Sequence, residues 1–232
     1  KDNEAPADRP DIVSRVFKCK LNELKKDLLK NNVFGKVIAF VYVIEFQKRG
    51  LPHCHILLIL DEESKFREPA QIDRCVYAEL PNPNEFPSLH DKVVRNMIHE
   101  PCGARNQNSP CMKDGKCSKK YPKEYVNETV ENSNGYPLYR RQNNNTTAQK
   151  GVNLVDNRDV VPYNPYLLMK YNAHINVEVC SSVRSVKYLF KYVYKGYDSA
   201  CLEFVNSIQN ETLNFDETTR FANMRYVSSH EA

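Results

Sequence analysis

The sequence predicts an α+β fold with a central antiparallel β-sheet, flanking helices and a cysteine-rich insertion. Two apolar, β-branched runs flank a turn at residues 48–52 that contains Gly50 and Pro52, which is typical of a β-hairpin. Apolar residues at helical spacing precede this hairpin and recur near the C-terminal end of the chain. Residues 99–125 follow neither period and are rich in Cys and Lys.

The same periodicities locate the elements in order. The predicted helices are residues 11–29, 70–80, 88–99 and 183–195. The predicted strands are residues 36–46, 53–60 and 171–181. Asp11 or Ser14 could cap the first helix. We expect a lead-in and helix at residues 1–35 and one domain over 36–232, with the insertion inside it.

Composition restricts the function only weakly. A net charge of +4 over 232 residues gives no global basic field, so basic residues must be judged by where they cluster. No run of about 18 apolar residues predicts a membrane span. Eight cysteines without a recognisable secretory leader favour reduced thiols or metal ligands over a disulfide framework.

The hairpin carries a candidate metal site. With the turn centred near Gly50, residue 45 would lie opposite 55 and residue 47 opposite 53. Alternate residues of a strand share a face, so four polar side chains would project together: Glu45, Gln47, His53 and His55. Two imidazoles, a carboxylate and an amide favour a divalent cation with open coordination positions. The alternative is that each histidine lies alone in a polar loop or donates a structural hydrogen bond.

A second candidate site is the helix predicted after Ser181. Tyr188 and Tyr192 are four residues apart and therefore lie on one face, while Lys191 and Lys195 form a neighbouring stripe. A phenol has a pKa of about 10, but beside a metal-bound phosphate and lysines it can attack a phosphodiester. On the helix alone, two amphipathic core tyrosines would be the better interpretation.

Together these motifs resemble a known family. GLPHCHILL (residues 50–58) resembles the His-hydrophobic-His motif of rolling-circle (HUH) endonucleases, and YLFKYVYK (188–195) resembles their two-tyrosine motif. The particular residues of the two motifs are similar to those of the Rep nuclease domain of Helitron transposases. Further similar stretches, in the expected order, are AELPNP (78–83), MIHEPCG (97–103), SPCM (109–112), GKCSKKYPK (115–123) and RYVSSHEA (225–232).

The resemblance implies an HUH nuclease-like fold and a mechanism. His53 and His55 would hold Mg²⁺ or Mn²⁺, with Glu45 as the third ligand and Gln47 as the competing candidate. Tyr188 or Tyr192 would attack single-stranded DNA, leaving a 5′-phosphotyrosine and a free 3′-hydroxyl. The second tyrosine would allow strand transfer. The family also implies nuclear localisation and a following helicase, yet this chain has no phosphate-binding loop of the Gly-x₄-Gly-Lys-Ser/Thr type.

The cysteine-rich stretch is a further candidate metal site. His99, Cys102, Cys111 and Cys117 offer four ligands in a segment too polar to fold by itself. A tetrahedral Zn²⁺ ion would supply the missing order, although the spacing matches no standard zinc finger. The alternative is a set of free thiols.

Basic residues lie next to the cysteines and are interleaved with Tyr121 and Tyr125. Such patterns suit contacts with the backbone and bases of single-stranded DNA, whereas a solvated loop is the plain alternative. The candidate residues are Lys113, Lys116, Lys119, Lys120, Tyr121, Lys123, Arg140 and Arg141.

The sequence therefore predicts a metal-dependent, tyrosine-nucleophile endonuclease and strand transferase that acts on single-stranded DNA at transposon ends. Two other functions stay open. A silent nucleic-acid-binding module would bind without cleaving, and a metal-dependent hydrolase would cleave with water and form no covalent adduct.

Overall fold

The computed structural model describes residues 8–46, 51–132, 136–180, 200–205 and 212–215. These fall into two compact units. The first contains residues 8–46, 51–65, 200–205 and 212–215, and the second contains 66–132 and 136–180. Both units combine helices with antiparallel strands, so the predicted α+β class is confirmed. The predicted domain boundary at residue 35 stays a prediction.

The described helices and strands are few and mostly short. The helices are α1 (Pro10–Leu29), α2 (Pro69–Cys75), α3 (Pro87–Asn96) and α4 (Pro165–Tyr171). The strands are β1 (Val37–Phe46), β2 (Pro52–Leu60), β3 (Met112–Lys113), β4 (Lys116–Cys117), β5 (Thr147–Lys150), β6 (Asn153–Asp156), β7 (Ala200–Val205) and β8 (Thr212–Phe215). None of these helices is long and apolar enough to cross a membrane.

The first unit is an antiparallel sheet backed by α1. Its strand order is β2-β1-β7-β8, and Phe40 and Tyr42 of β1 pack in one apolar cluster with Leu21 of α1. Helix α1 and the β1–β2 hairpin thus form where the sequence predicts them. The predicted helix cap is wrong, because Pro10 occupies the first turn and Asp11 instead pairs with Arg9 at 2.9 Å.

The second unit has its core around α3 and α4. Val93 of α3 and Met97, which follows the helix, cluster with Leu168 of α4 and with Val160 and Tyr163 of the loop before α4. Helix α3 is confirmed but ends at Asn96. The helix predicted over 70–80 is shorter than expected, because after Cys75 the chain leaves the helix in an extended conformation at Val76.

The strand predicted over residues 171–181 is wrong. Residue 171 ends α4, and Asn172 adopts a left-handed conformation with φ 45°. Residues 173–180 belong to no strand: the Val177 N–H donates to the Pro162 carbonyl at 3.0 Å, and the Val179 N–H donates to the Tyr139 hydroxyl at 2.7 Å. Their alternation arises because Val177 and Val179 both pack against one apolar cluster. The helix predicted over 183–195 lies outside the described residues.

Candidate metal centres

The β1–β2 hairpin brings three of the predicted ligands together. Glu45 pairs across the strands with His53, and Val43 pairs with His55. The predicted register, with 45 opposite 55, is therefore shifted by two residues. A shift of two preserves the face on which each side chain lies, so Glu45, His53 and His55 still share one face.

The distances within this group are short. The ring centroids of His53 and His55 are 4.7 Å apart, and His55 Nε2 lies 3.5 Å from Glu45 Oε2. The side chains of His55 and Glu45 are 16% and 23% exposed, while the His55 Nε2 atom itself is buried. The opposite face of the hairpin, with Cys54 and Ile56, packs in the cluster that includes α1. Apolar packing on one face thus leaves the three polar side chains on the other.

The remaining residues of the predicted catalytic site are not described by the structure. Gln47, the competing metal ligand, lies outside the described residues, as do Tyr188, Lys191, Tyr192 and Lys195. Their assigned roles stay predictions.

The second predicted metal site does assemble. The ligand atoms of His99, Cys102, Cys111 and Cys117 all lie within 4.8 Å of one another. Among the residues that the structure describes, this is the one group of His, Cys, Asp and Glu side chains that could hold a metal ion in this way. Four converging nitrogen and sulfur ligands suit a tetrahedral ion.

A small β-hairpin sets the spacing between Cys111 and Cys117. Strands β3 and β4 pair Met112 with Cys117, and both turn residues, Asp114 and Gly115, have positive φ (49° and 74°). This conformation gives the twist that a two-residue hairpin requires, and Asp-Gly is a strong signal for it. Sequence reasoning missed this signal inside the cysteine-rich stretch.

The protonation properties of the cluster differ between its members. Burial raises the pKa of Cys102 to about 12, and its Cys117 and Cys111 neighbours add to the rise. Burial also acts to raise the pKa of Cys117, but the backbone N–H groups of Tyr121 and Lys119 bring it below the ordinary value. Burial lowers the pKa of His99, which favours the neutral imidazole that binds metals.

Residues next to the cluster fix the position of His99. The Tyr121 ring stacks on the His99 ring, with centroids 4.1 Å apart and an interplanar angle of 14°. In addition, His99 Nε2 lies 3.5 Å from Cys117 Sγ. Lys123 Nζ lies 4.7 Å from the centre of the Tyr121 ring. The Tyr121 ring is therefore already occupied by contacts with His99 and Lys123, and it is not part of a surface on which DNA bases could stack.

The predicted DNA-binding residues divide into two sets. Lys113, Lys116, Lys119 and Lys120 are exposed. Arg140 pairs with Glu79 at 3.2 Å, and Lys123 Nζ donates to the Lys119 carbonyl at 2.8 Å. Arg141 is only 3% exposed, and its guanidinium donates to the carbonyls of Ala78, Asn157 and Val160. The four exposed lysines can contact a phosphate, whereas Arg141 stabilises the interior of the second unit.

The structure also contains a polar cleft that sequence reasoning missed. It has a volume of about 330 Å³ and is lined by Tyr125, residues 142–147, Asp156 and Asn157. We call it the amide cleft. Its signal in the sequence is the run Asn143–Asn145, which by itself predicts only a loop.

Comparison with known families supports part of the sequence interpretation. A family model described as "Helitron helicase-like domain at N-terminus" matches residues 1–58, a quarter of the chain. The matched stretch contains α1, β1 and the start of β2, and therefore Glu45, His53 and His55. The match relates the chain to Helitron transposases and so to proteins associated with transposons. No curated protein matches the chain.

Proposed function

We propose that the chain is a metal-dependent, single-strand DNA endonuclease and strand transferase of a rolling-circle transposon. The observation that supports this proposal most strongly is the grouping of Glu45, His53 and His55 on one face of the β1–β2 hairpin. This grouping lies inside the stretch that matches the Helitron-related family model.

The three side chains are of types that bind divalent cations. Two imidazole nitrogens and a carboxylate oxygen are common ligands of divalent metals. Mg²⁺ or Mn²⁺ bound there would withdraw negative charge from the non-bridging oxygens of a DNA phosphate. Because Mg²⁺ prefers oxygen ligands, both ions need to be tested.

The nucleophile is proposed from the sequence resemblance. Tyr188 or Tyr192 would attack the phosphorus through its phenolic oxygen and lose its proton. The bond from phosphorus to the 3′ oxygen would break, and that oxygen would take up a proton to become the free 3′-hydroxyl. The bond energy is kept in the 5′-phosphotyrosine, so a second transesterification can join strands without a nucleotide cofactor. Lys191 and Lys195 would offset negative charge.

We propose that the His99, Cys102, Cys111 and Cys117 cluster holds Zn²⁺ in a structural role. Four protein ligands leave no open position for substrate, which is typical of structural zinc and not of catalytic zinc. The exposed lysines on and after the β3–β4 hairpin would then lie on a surface ordered by the metal, where they could meet the DNA backbone. From the family resemblance we also propose nuclear action and a partner helicase domain.

A cleavage assay tests the proposal. Labelled single-stranded oligonucleotides would be incubated with Mn²⁺, with Mg²⁺ or with chelator, and the protein would be run on a denaturing gel. We expect a labelled, metal-dependent covalent band that disappears in Tyr188→Phe or Tyr192→Phe and in His55→Ala. Tyr194→Phe, in the same segment, is the matched control and should keep the band.

Other outcomes favour the other functions. Cleavage without a labelled protein band, retained in the Tyr188/Tyr192 double Phe variant, would replace the proposal with a water-using hydrolase. Binding without cleavage on any transposon-end oligonucleotide would leave a binding module.

A further inference from the structure

The amide cleft has the lining of a nucleobase site. Its volume of about 330 Å³ falls at the lower end of the range of roughly 300–1,000 Å³ in which pockets bind small ligands. The lining consists of carboxamides, hydroxyls, one tyrosine ring and one carboxylate. Every residue that lines it carries a polar group in its side chain.

Hydrogen bonds around the buried Asn157 side chain hold the floor of the cleft together. Asn157 is 1% exposed, and its amide nitrogen donates to the Gln142 carbonyl at 2.8 Å and to Asn144 Oδ1 at 3.3 Å. Its side-chain oxygen accepts from the Leu80 N–H at 2.7 Å. The Gln142 N–H donates to Glu79 at 2.6 Å. A loop fixed in this way presents its side chains with little loss of entropy on binding.

Three carboxamides remain available at the rim. The side chains of Gln142, Asn143 and Asn145 are exposed and have no hydrogen-bond partner in the part of the chain that the structure describes. A carboxamide carries a donor and an acceptor side by side. This pairing matches the edge of a nucleobase, as in the bidentate contact of Asn or Gln with adenine.

The wall of the cleft supplies an aromatic ring, and its charged side chains balance to no net charge. Tyr125 is 37% exposed, and the Arg158 guanidinium lies 4.8 Å from its ring centre. The Tyr125 hydroxyl donates to Asp156 at 3.2 Å, and Arg158 pairs with the same carboxylate at 2.7 Å. With Asp156 neutralised, the wall does not favour a phosphate. Tyrosine and arginine planes are the usual stacking partners of unpaired bases.

We propose that the amide cleft binds an unpaired nucleobase of single-stranded nucleic acid and makes binding depend on base identity. This inference deepens the proposed function, since it names how the substrate would be recognised. Exposed Lys120 precedes Tyr125 by five residues, which span at most about 18 Å. The Lys123 N–H donates to the Arg158 carbonyl at 2.9 Å and joins this segment to the cleft wall. A base in the cleft can therefore leave its neighbouring phosphates within reach of lysine.

Binding measurements on the full chain test the inference. Fluorescence anisotropy would compare oligo(dA), oligo(dC) and oligo(dT) without added divalent cation, so that cleavage does not interfere. We expect the dissociation constants of the wild type to differ between bases by at least about fivefold. In the double variant Asn143→Ala/Asn145→Gly, this difference should disappear. Glycine is chosen at 145 because Asn145 has φ 57°, which glycine adopts without strain.

Tyr125→Leu provides a second, independent variant. Loss of one stacked base should weaken binding of all three oligonucleotides by at least about fivefold. The matched controls are Tyr166→Leu, an exposed tyrosine on α4, and Gln149→Ala, an exposed amide outside the cleft. Both should bind like the wild type, and thermal melting would confirm that all variants are folded.

Two results would overturn the inference. One is a wild type without base preference, and the other is a preference that survives in the folded double variant. These results are independent of the covalent-adduct assay. If the adduct forms but the cleft variants change nothing, the inference fails alone. If the cleft variants lose base preference but no adduct ever forms, the proposed catalytic function fails alone.

Discussion

The β1–β2 hairpin and the connection between α3 and α4 (residues 97–164) bring candidate ligands together in opposite ways. In the hairpin, an apolar face packs in a cluster with α1, and the polar ligands lie on the other face. In the connection, the described strands contain two to four residues each. Of the seven buried polar or charged residues among those described, six lie in this connection: Ser109, Thr129, Arg141, Asn157, Asp159 and Asn164.

The difference has a consequence for metal dependence. A hairpin that is stabilised by apolar burial should keep its fold when its ligands are lost. A segment such as residues 99–117, in which only Pro101, Cys102 and Ser109 are buried and four metal ligands converge, should depend on its metal for its fold. The two candidate metal centres are therefore expected to behave as a catalytic site and a structural site.

The largest effect is expected at the cysteine cluster. Cys117→Ser removes a ligand whose sulfur receives backbone N–H groups, so we expect bound zinc to be lost. The free energy of unfolding should fall by at least about 4 kcal/mol, which corresponds to a fall in Tm of about 10 °C. Elemental analysis and calorimetry would measure both. Cys19→Ser, an exposed thiol on α1, is the control, and unchanged zinc content in Cys117→Ser would contradict the assignment.

The next effect concerns the apolar side of the hairpin. Phe40 is 1% exposed, and Phe40→Ala should destabilise the first unit by about 3–5 kcal/mol through loss of packing and formation of a cavity. Zinc content should not change. Phe46→Ala on the same strand, where the side chain is 58% exposed, should have less than about 1 kcal/mol of effect. Loss of zinc in Phe40→Ala would mean that the two regions do not fold independently.

Two adjacent arginines in the connection have different environments: Arg141 is buried, and Arg140 is partly exposed. Arg141→Met leaves three buried carbonyls without their donor, and we expect a loss of about 2–3 kcal/mol in unfolding free energy. Arg140→Met removes only a partly exposed pair with Glu79 and should have about 1 kcal/mol of effect or less. Urea denaturation measures both, and equal effects would show that Arg141 does not hold the connection.

Alkaline pH should weaken the second unit by a smaller and gradual effect. Burial raises the pKa of both Tyr139 and Tyr163 above the ordinary value, which is about 10 in an unfolded chain. Above pH 10 the unfolded state therefore loses protons that the folded state keeps, so the stability present below pH 10 declines as pH rises. Tyrosinate absorbance during alkaline titration measures this, and titration of all tyrosines near pH 10 without unfolding would contradict it.

The sequence predicts the hairpin better than the connection, and the reason is physical. Apolar alternation identifies β1 and β2. Because side chains alternate with a period of two, a register shift of two residues leaves Glu45, His53 and His55 on the predicted face of the sheet. The cysteine ligands were identified by residue type, without knowledge of the β3–β4 turn that spaces them. Arg141 was assigned to the surface, because a pattern argument cannot see the three carbonyls that make its burial favourable.

The prediction of a strand over residues 171–181 fails for a related reason. Alternating Ile175, Val177 and Val179 indicate burial of one face, but alternation alone does not supply a neighbouring strand. The backbone N–H groups of Val177 and Val179 instead bond to a carbonyl and a tyrosine hydroxyl. Sequence periodicity therefore predicts which side chains are buried more reliably than it predicts hydrogen-bond partners.

The smallest effect on stability, and the sharpest test of the comparison, is expected for Glu45→Gln. This change keeps the shape of the side chain but removes the charge that lies 3.5 Å from His55. Because the group is partly exposed, the free energy of unfolding should change by less than about 1 kcal/mol. On the proposed function, metal-dependent formation of the covalent adduct should nevertheless fall by at least about tenfold.

Glu63→Gln, an exposed carboxylate that follows β2, controls for a general effect of charge and should change neither property. If Glu45→Gln lowers the melting temperature as much as Phe40→Ala does, the polar face of the hairpin is part of its structural core. If Glu45→Gln leaves adduct formation and its dependence on Mn²⁺ at the wild-type level, Glu45 is not a ligand, and Gln47 becomes the third ligand to test. A stable but inactive Glu45→Gln variant would show that the hairpin folds without its metal ligands, whereas the cysteine-rich segment is expected to need its metal in order to fold.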